Sequence, residues 1–487
     1  MRLLRILIPA LLFMPGILAA QTGSGLPDMG GTSTRVLPIE QEQTFARDFE
    51  RYMRAHNLLI EDPMIRDYFE DMGYRLVANS DRRDGNFHFF VIRESGINAF
   101  ASVAGVIGIH SGLILLAEDE SEVAGVVAHE IAHVTQDHLA RGLENAQDVS
   151  LPAMLATVGL AIAASAVGSP DAGQAVLMSG LGLAQQFQIN HTRQSEAEAD
   201  RIGIALLGDT GFDPHGMTRF FERLNVHSRA MGQGPPEYLR THPLTINRIA
   251  EARSRADEVF NPRAATEPSE EFHFVQARLR VLMSQRLDHD IRWFQTRLEN
   301  GTRPADAMRY GLVLALSREG RMDEAEVQLE RLLSSDPQRQ LFQLLEAEFQ
   351  LRAGRRDRAL EVLERLVHQY PGSRQVTSQY AQTLMHGDSG ADAERASELL
   401  RGYLRAYPDD LRMTELYARA ANQAGEPVRA AEAVAESYYL RGGVEEAIEQ
   451  LERVSDRPDL DYYQRARVTA RLNELRSEQL RLAAQNR

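Results

Sequence analysis

The stretch "GVVAHEIAHVTQDHL", residues 125–139, sets three histidines and a glutamate into an apolar helical pattern. Val126, Val127, Ile131 and Val134 recur as a helix that enters a core, and imidazoles taken into a core need partners. His129 and His133 stand four residues apart, so both rings lie on one helix face and can reach one ion. Neutral imidazole suits zinc. Glu130, between them, sits where a carboxylate can act as general base toward a zinc-activated water. His-Glu-x-x-His therefore points to a metal-dependent hydrolase holding one zinc per chain.

A catalytic zinc takes a third protein ligand and keeps one position open. A metzincin would continue with a glycine and a third histidine, and this chain has Gln136 and Leu139 at those places. The third ligand must come from elsewhere. "RQSEAEADRIGIALL" (193–207) reads as an amphipathic helix with Glu196 and Asp200 on one face. Glu196 is the expected ligand and Asp200 the outer partner of a zinc histidine; Glu198, on a different face, is the second choice. Further on, "LRTHPLTINRI" (239–249) carries His242 in a stretch that Pro235, Pro236 and Pro243 keep out of regular helix. Three roles stay open for His242: a fourth zinc ligand that must leave for activity, a donor to the oxyanion with Arg248 as a second candidate donor, or a loop residue before the next helix.

With 487 residues the chain is too long for one ordinary core, so two or three domains are expected. A formal charge of −15 argues against nucleic acid as a partner. The absence of cysteine removes thiolate metal sites, cysteine nucleophiles and disulfides. The start, "MRLLRILIPALLFMPGILAAQ", has Arg2 and Arg5 before the apolar run Ile6 to Leu18 and small residues at Ala19 and Ala20, the pattern of a cleavable bacterial export signal. An uncleaved anchor is the rival reading, weakened by a run shorter than the ~20 residues of a span.

Residues 21–39 read as a flexible lead-in rich in Gly, Pro, Ser and Thr. Residues 40–79 show helical spacing, and "FHFFVI" (87–92) and "GVIGIH" (105–110) read as strands of a small sheet with "GINAFASVA" between them. A long helix is expected over "DESEVAGVVAHEIAHVTQDHLARGL". Residues 151–192 hold a single charge, Asp171, and read as an apolar hairpin: either buried, or mobile beside the cleft and in contact with a membrane surface or substrate. From residue 306 amphipathic helices repeat. Gly320 and Gly354, Ala325 and Ala359, Pro337 and Pro371 all recur at an offset of 34, and Gly425 with Ala430 and Gly442 with Ala447 continue the spacing. That period is the tetratricopeptide signature, whose superhelix binds peptides or proteins on its concave face.

"HEIAHVTQDH", "SEAEADRIGIALL" and "THPLTINRI", preceded by "INAFA", together resemble the gluzincin peptidases that include HtpX and the CAAX-prenyl endopeptidases. The order signal, peptidase, repeats is similar to the periplasmic subgroup that serves β-barrel assembly in Gram-negative bacteria. The resemblance implies zinc ligands His129, His133 and Glu196 and the base Glu130. It implies a chaperone-like endopeptidase acting on unfolded or misassembled outer-membrane proteins beside the β-barrel assembly machinery, in the periplasm or at the inner face of the outer membrane. An extended substrate is expected to add to strand 105–110. The rival class is a repeat-based binding scaffold with a latent peptidase site. The expected fold is an α+β zincin-like metallopeptidase domain, mostly helical with a small sheet, at 40–267, followed by an all-α tetratricopeptide-repeat superhelix at 268–487.

Overall fold

The computed structural model describes residues 39–83, 86–102, 104–139, 141, 193–231, 235–261, 269–302, 304–387 and 389–485. The export signal at 1–20, nearly all of the lead-in, and the 151–192 hairpin lie outside them. Two helices open the described chain, α1 (Ile39–Ala55) and α2 (Pro63–Ala78). The helical spacing over 40–79 falls into two helices, because Asn57 adopts a positive φ of 55° and Asp62 restarts the helix. The Asp62 carboxylate accepts from the Met64 and Ile65 amides, and Pro63 fills a first-turn position that needs no N–H.

The sheet has three strands, β1 (His88–Ile92), β2 (Ala99–Ala101) and β3 (Val106–His110), in the order β1-β3-β2. β1 runs parallel to β3, and β2 pairs antiparallel with it. This corrects the assignment of strand 105–110 as the substrate edge: β3 is the middle strand and is buried throughout. Part of the "GINAFASVA" segment supplies the edge as β2. The far side of β1 is closed by Leu58 and Ile60, whose backbone bonds Arg93 N–H to Leu58 O (2.7 Å) and Ile60 N–H to Val91 O (2.9 Å).

The short α3 (Ser111–Leu116) leads into α4 (Glu120–Thr135), the helix of the opening stretch. Asp119 caps it by accepting from Glu122 N–H, and acids in its first turn with His133 in its last suit the helix dipole. Its residues are buried from Glu120 to Val134, so it runs through the core rather than over it. It is shorter than expected: Gln136 caps it, and Asp137 turns the chain with a φ of 51°.

α5 (Arg193–Thr210) lies against α4, followed by α6 (His215–Met231), the single turn and a half of α7 (Glu237–Thr241), and α8 (Ile246–Val259). Glycine permits a close crossing here. A Cβ on Gly203 of α5 would stand 3.1 Å from His129 N and 2.8 Å from Met217 Cε. That close approach brings the first two turns of α5 beneath the histidines.

Further helices follow as the repeat array begins and runs out: α9 (Glu270–Met283), α10 (Leu287–Glu299), α11 (Ala305–Glu319), α12 (Met322–Ser335), α13 (Gln340–Arg352), α14 (Arg356–Gln369), α15 (Arg374–Leu384), α16 (Gly390–Leu404), α17 (Leu411–Gln423), α18 (Pro427–Leu440) and α19 (Val444–Ser455). The last is α20 (Tyr462–Gln485). Gly320 and Gly354 turn the chain with φ of 82° and 74°, and Ala325 and Ala359, fully buried, sit where helices meet. One hydrophobic core runs from Ile60 through Phe274 and Phe294 to Phe349, so packing is continuous across the 262–268 segment that holds the expected domain division. The array also returns to the first helices. Arg374 pairs with Asp67 and Glu70 of α2, and Arg51 of α1 pairs with Glu478 of α20 and lies 3.9 Å over the Tyr439 ring. Among the described residues no helix is long and apolar enough to cross a membrane.

Candidate metal centre

α4 presents His129 and His133 from consecutive turns, and α5 presents Glu196 and Asp200 the same way. The segment between α7 and α8 supplies His242. All five side chains are buried. His129 Nε2 is 3.0 Å from His133 Nε2, 3.6 Å from Glu196 Oε2 and 3.3 Å from His242 Nδ1. His133 Nε2 is 3.4 Å from Glu196 Oε1, and His242 Nδ1 is 3.0 Å from that same oxygen. One donor atom from each of His129, His133, Glu196 and His242 falls within a 4.8 Å cluster.

These separations fit a small cation. Tetrahedral corners at the zinc–nitrogen distance are about 3.3–3.4 Å apart. The contacts agree: Asp200 Oδ1 lies 3.0 Å from His129 Nδ1, which favours the tautomer with its proton on that nitrogen and the Nε2 lone pair turned inward. Lone pairs and a carboxylate facing one another in a buried pocket repel unless a cation lies between them.

Arg248, at the start of α8, organises the acids. Its Nε is 2.6 Å from Asp200 Oδ2, its Nη2 is 2.9 Å from Asp200 Oδ1, and its Nη1 is 2.7 Å from Glu196 Oε2 and donates to the Pro243 carbonyl. Burial opposes ionisation of Asp200, but hydrogen bonds from Arg248 and His129 hold its carboxyl below the usual range. Glu130, next to His129, has its carboxyl raised, chiefly by burial and against the pull of His242 and His129. Among the described residues its Oε1 meets no hydrogen-bond donor, and it lies 3.5 Å from His242 Nε2.

Glu198 does not join the cluster. It reaches His138 instead, with Oε2 3.0 Å from His138 Nε2, while His138 Nδ1 is 2.8 Å from His133 Nδ1. The sequence alone gives His138 no role, because a residue five places after His133 on an unbroken helix points to another face. Tyr238 was also missed. Its ring stacks on His242 with centroids 4.7 Å apart, and its N–H bonds to the Ile97 carbonyl beside β2. No spacing rule would have singled it out.

Two helical histidines one turn apart, with a glutamate from a following helix, make the donor set of a gluzincin, and the chain is a metallopeptidase. Residues 65–256 match Peptidase family M48, and residues 316–382 match the tetratricopeptide repeat family. The "Beta-barrel assembly-enhancing protease" of Yersinia pestis is 35% identical over 95% of this chain and 93% of its own length. The protein of that name from Escherichia coli (strain K12) is 34% identical over 95% and 93%. The "Mitochondrial metalloendopeptidase OMA1" of Schizosaccharomyces pombe is 27% identical over 45% of this chain and 65% of that one. The chain belongs to the β-barrel assembly-enhancing proteases of peptidase family M48.

Proposed function

We propose that this is a zinc endopeptidase of the periplasm, exported by its N-terminal signal, that cleaves unfolded or misassembled outer-membrane proteins beside the β-barrel assembly machinery, with its repeats recruiting clients. The observation that carries the chemistry is the convergence of His129 Nε2, His133 Nε2 and Glu196 on one point, with Glu130 buried beside it. Those three residues would hold the zinc, which supplies Lewis acidity and an activated water.

Glu130 takes the water's proton and returns it to the leaving amine. Burial raises its carboxyl, the direction that favours holding the proton between the two transfers. Asp200 fixes the His129 tautomer, and Arg248 holds Asp200 and Glu196 in place. With those contacts made, we assign Arg248 to positioning and not to the oxyanion. His242 Nδ1 sits at the fourth corner of the donor cluster, which supports a resting-state latch that withdraws when a client docks.

The substrate adds to β2. His110 N–H bonds to Asn98 O and Ser102 N–H to Val106 O, so residues 98, 100 and 102 face β3. The N–H and C=O of Ala99 and Ala101 then face away from β3; Ala99 is buried and Ala101 partly exposed, so Ala101 is the more open of the two to an extended chain. The Ile97 carbonyl on the same side is already taken by Tyr238 N–H.

The rival scaffold reading is not favoured, because the chain belongs to a protease family and its candidate metal ligands lie together. Glu130→Gln decides between them: proteolysis should fall at least about 100-fold while zinc is retained, the size of effect expected for a lost general base. Unchanged proteolysis would remove Glu130 as base. Rescue of β-barrel assembly by the same variant would assign recruitment to the repeats.

A further inference from the structure

The two metal histidines are supported by unlike partners. His129 meets a buried carboxylate, Asp200, directly. His133 meets another imidazole, and only beyond it a carboxylate, Glu198, that is about one-third exposed at its side chain.

The protons along this second path are determined by chemistry. His133 turns Nε2 toward the donor cluster, 3.0 Å from His129 Nε2 and 3.4 Å from Glu196 Oε1. A metal-competent His133 therefore carries its proton on Nδ1. His138 Nδ1, 2.8 Å away, must be the acceptor, because two N–H groups cannot face each other at that distance. A neutral imidazole that accepts at Nδ1 donates at Nε2, and Glu198 Oε2 lies 3.0 Å from that atom to accept. Arg141 Nη2 is 3.3 Å from the same oxygen and anchors it.

The fold builds this relay deliberately out of an interruption. α4 ends at Thr135, Asp137 reverses the chain in the left-handed region, and His138 folds back under the last turn of the helix. His138 is 4% exposed, so it is held in place and shielded from competing water.

We infer that His138 and Glu198 are positioning residues that act as one unit to hold His133 in its metal-binding tautomer. This rests on the zinc reading above. Glu198 thus serves the metal without touching it, which explains why an acid two residues from the ligand Glu196, on another face of α5, still points inward to the site.

The test is zinc release from the full-length, zinc-loaded protein into excess chelator, with the melting temperature of the zinc-free protein as control. His138→Leu and Glu198→Ala should each release zinc about 10–100-fold faster, the usual cost of losing an outer partner. The double variant should be no faster than either single one, because the unit is broken once. Glu198→Gln keeps an acceptor oxygen and should stay within a few-fold of wild type. Nitrogen-15 spectra of the zinc-loaded wild type should show the His133 proton on Nδ1. Unchanged zinc release in both single variants, additive effects in the double variant, or release that merely tracks a lower zinc-free melting temperature would overturn the relay. Wild-type protein that binds no zinc would overturn the zinc reading itself, a result separate from any of these.

Discussion

Arg248 and Asp200 form a two-point pair in the interior, Nε to Oδ2 at 2.6 Å and Nη2 to Oδ1 at 2.9 Å, although 48 residues separate them. Arg248 also reaches Glu196, Nη1 to Oε2 at 2.7 Å. Removing it leaves buried carboxylates uncompensated, a defect that costs about 3–5 kcal/mol. Arg248→Met should lower the stability of the zinc-free protein by that order in urea denaturation. Arg248→Lys, with a single ammonium in place of a planar fork, should recover only part of it.

His242 stands at the fourth corner of the donor cluster, and Tyr238 stacks on its ring. His242→Ala should raise cleavage of an unfolded client several-fold, as the open position no longer needs to be vacated. A fall in kcat would instead make His242 an oxyanion donor, and the measurement is steady-state cleavage of one client by both proteins.

At the sheet edge, Ala101 turns its N–H away from β3. Ala101→Pro removes that donor and no ladder bond. One hydrogen bond is worth about 0.5–1.5 kcal/mol, so kcat/KM should fall roughly 3–10-fold with little change in melting temperature. Unchanged kcat/KM would remove β2 as the docking edge.

Glu478 ties α20 to α1 through Arg51 at 3.0 Å, and Arg481 lies 2.9 Å away. Burial would raise its carboxyl, but the two arginines outweigh burial and hold it at about 2. An unfolded glutamate titrates near 4.3. The folded form therefore binds its proton less readily, and the stability Glu478 contributes is complete above about pH 4.3 and lost as pH falls toward 2. Glu478→Gln should cost on the order of 1 kcal/mol at pH 7, after allowance for solvent screening at a half-buried site. The difference from wild type should shrink across that acid window in pH-dependent thermal melts.

Much of the site was legible from residues alone because helical geometry is local. His129 and His133, or Glu196 and Asp200, share a face by virtue of a four-residue spacing, wherever their helices end up. The 34-residue offsets placed the repeats for the same reason, since each pair of helices repeats one local packing problem. What the spacing could not convey was which strand would be central. β3 looked like an edge in sequence order, yet the chain lays β2 on one side of it and β1 on the other. Nor could it show that Asp137 breaks α4 and brings His138 beneath His133, or that the array curls back to set Arg51 against Glu478. Those are contacts between parts of the chain distant in sequence or joined by an irregular turn. They are decided by packing and by the need of buried charges for partners, and neither leaves a period in the sequence to read.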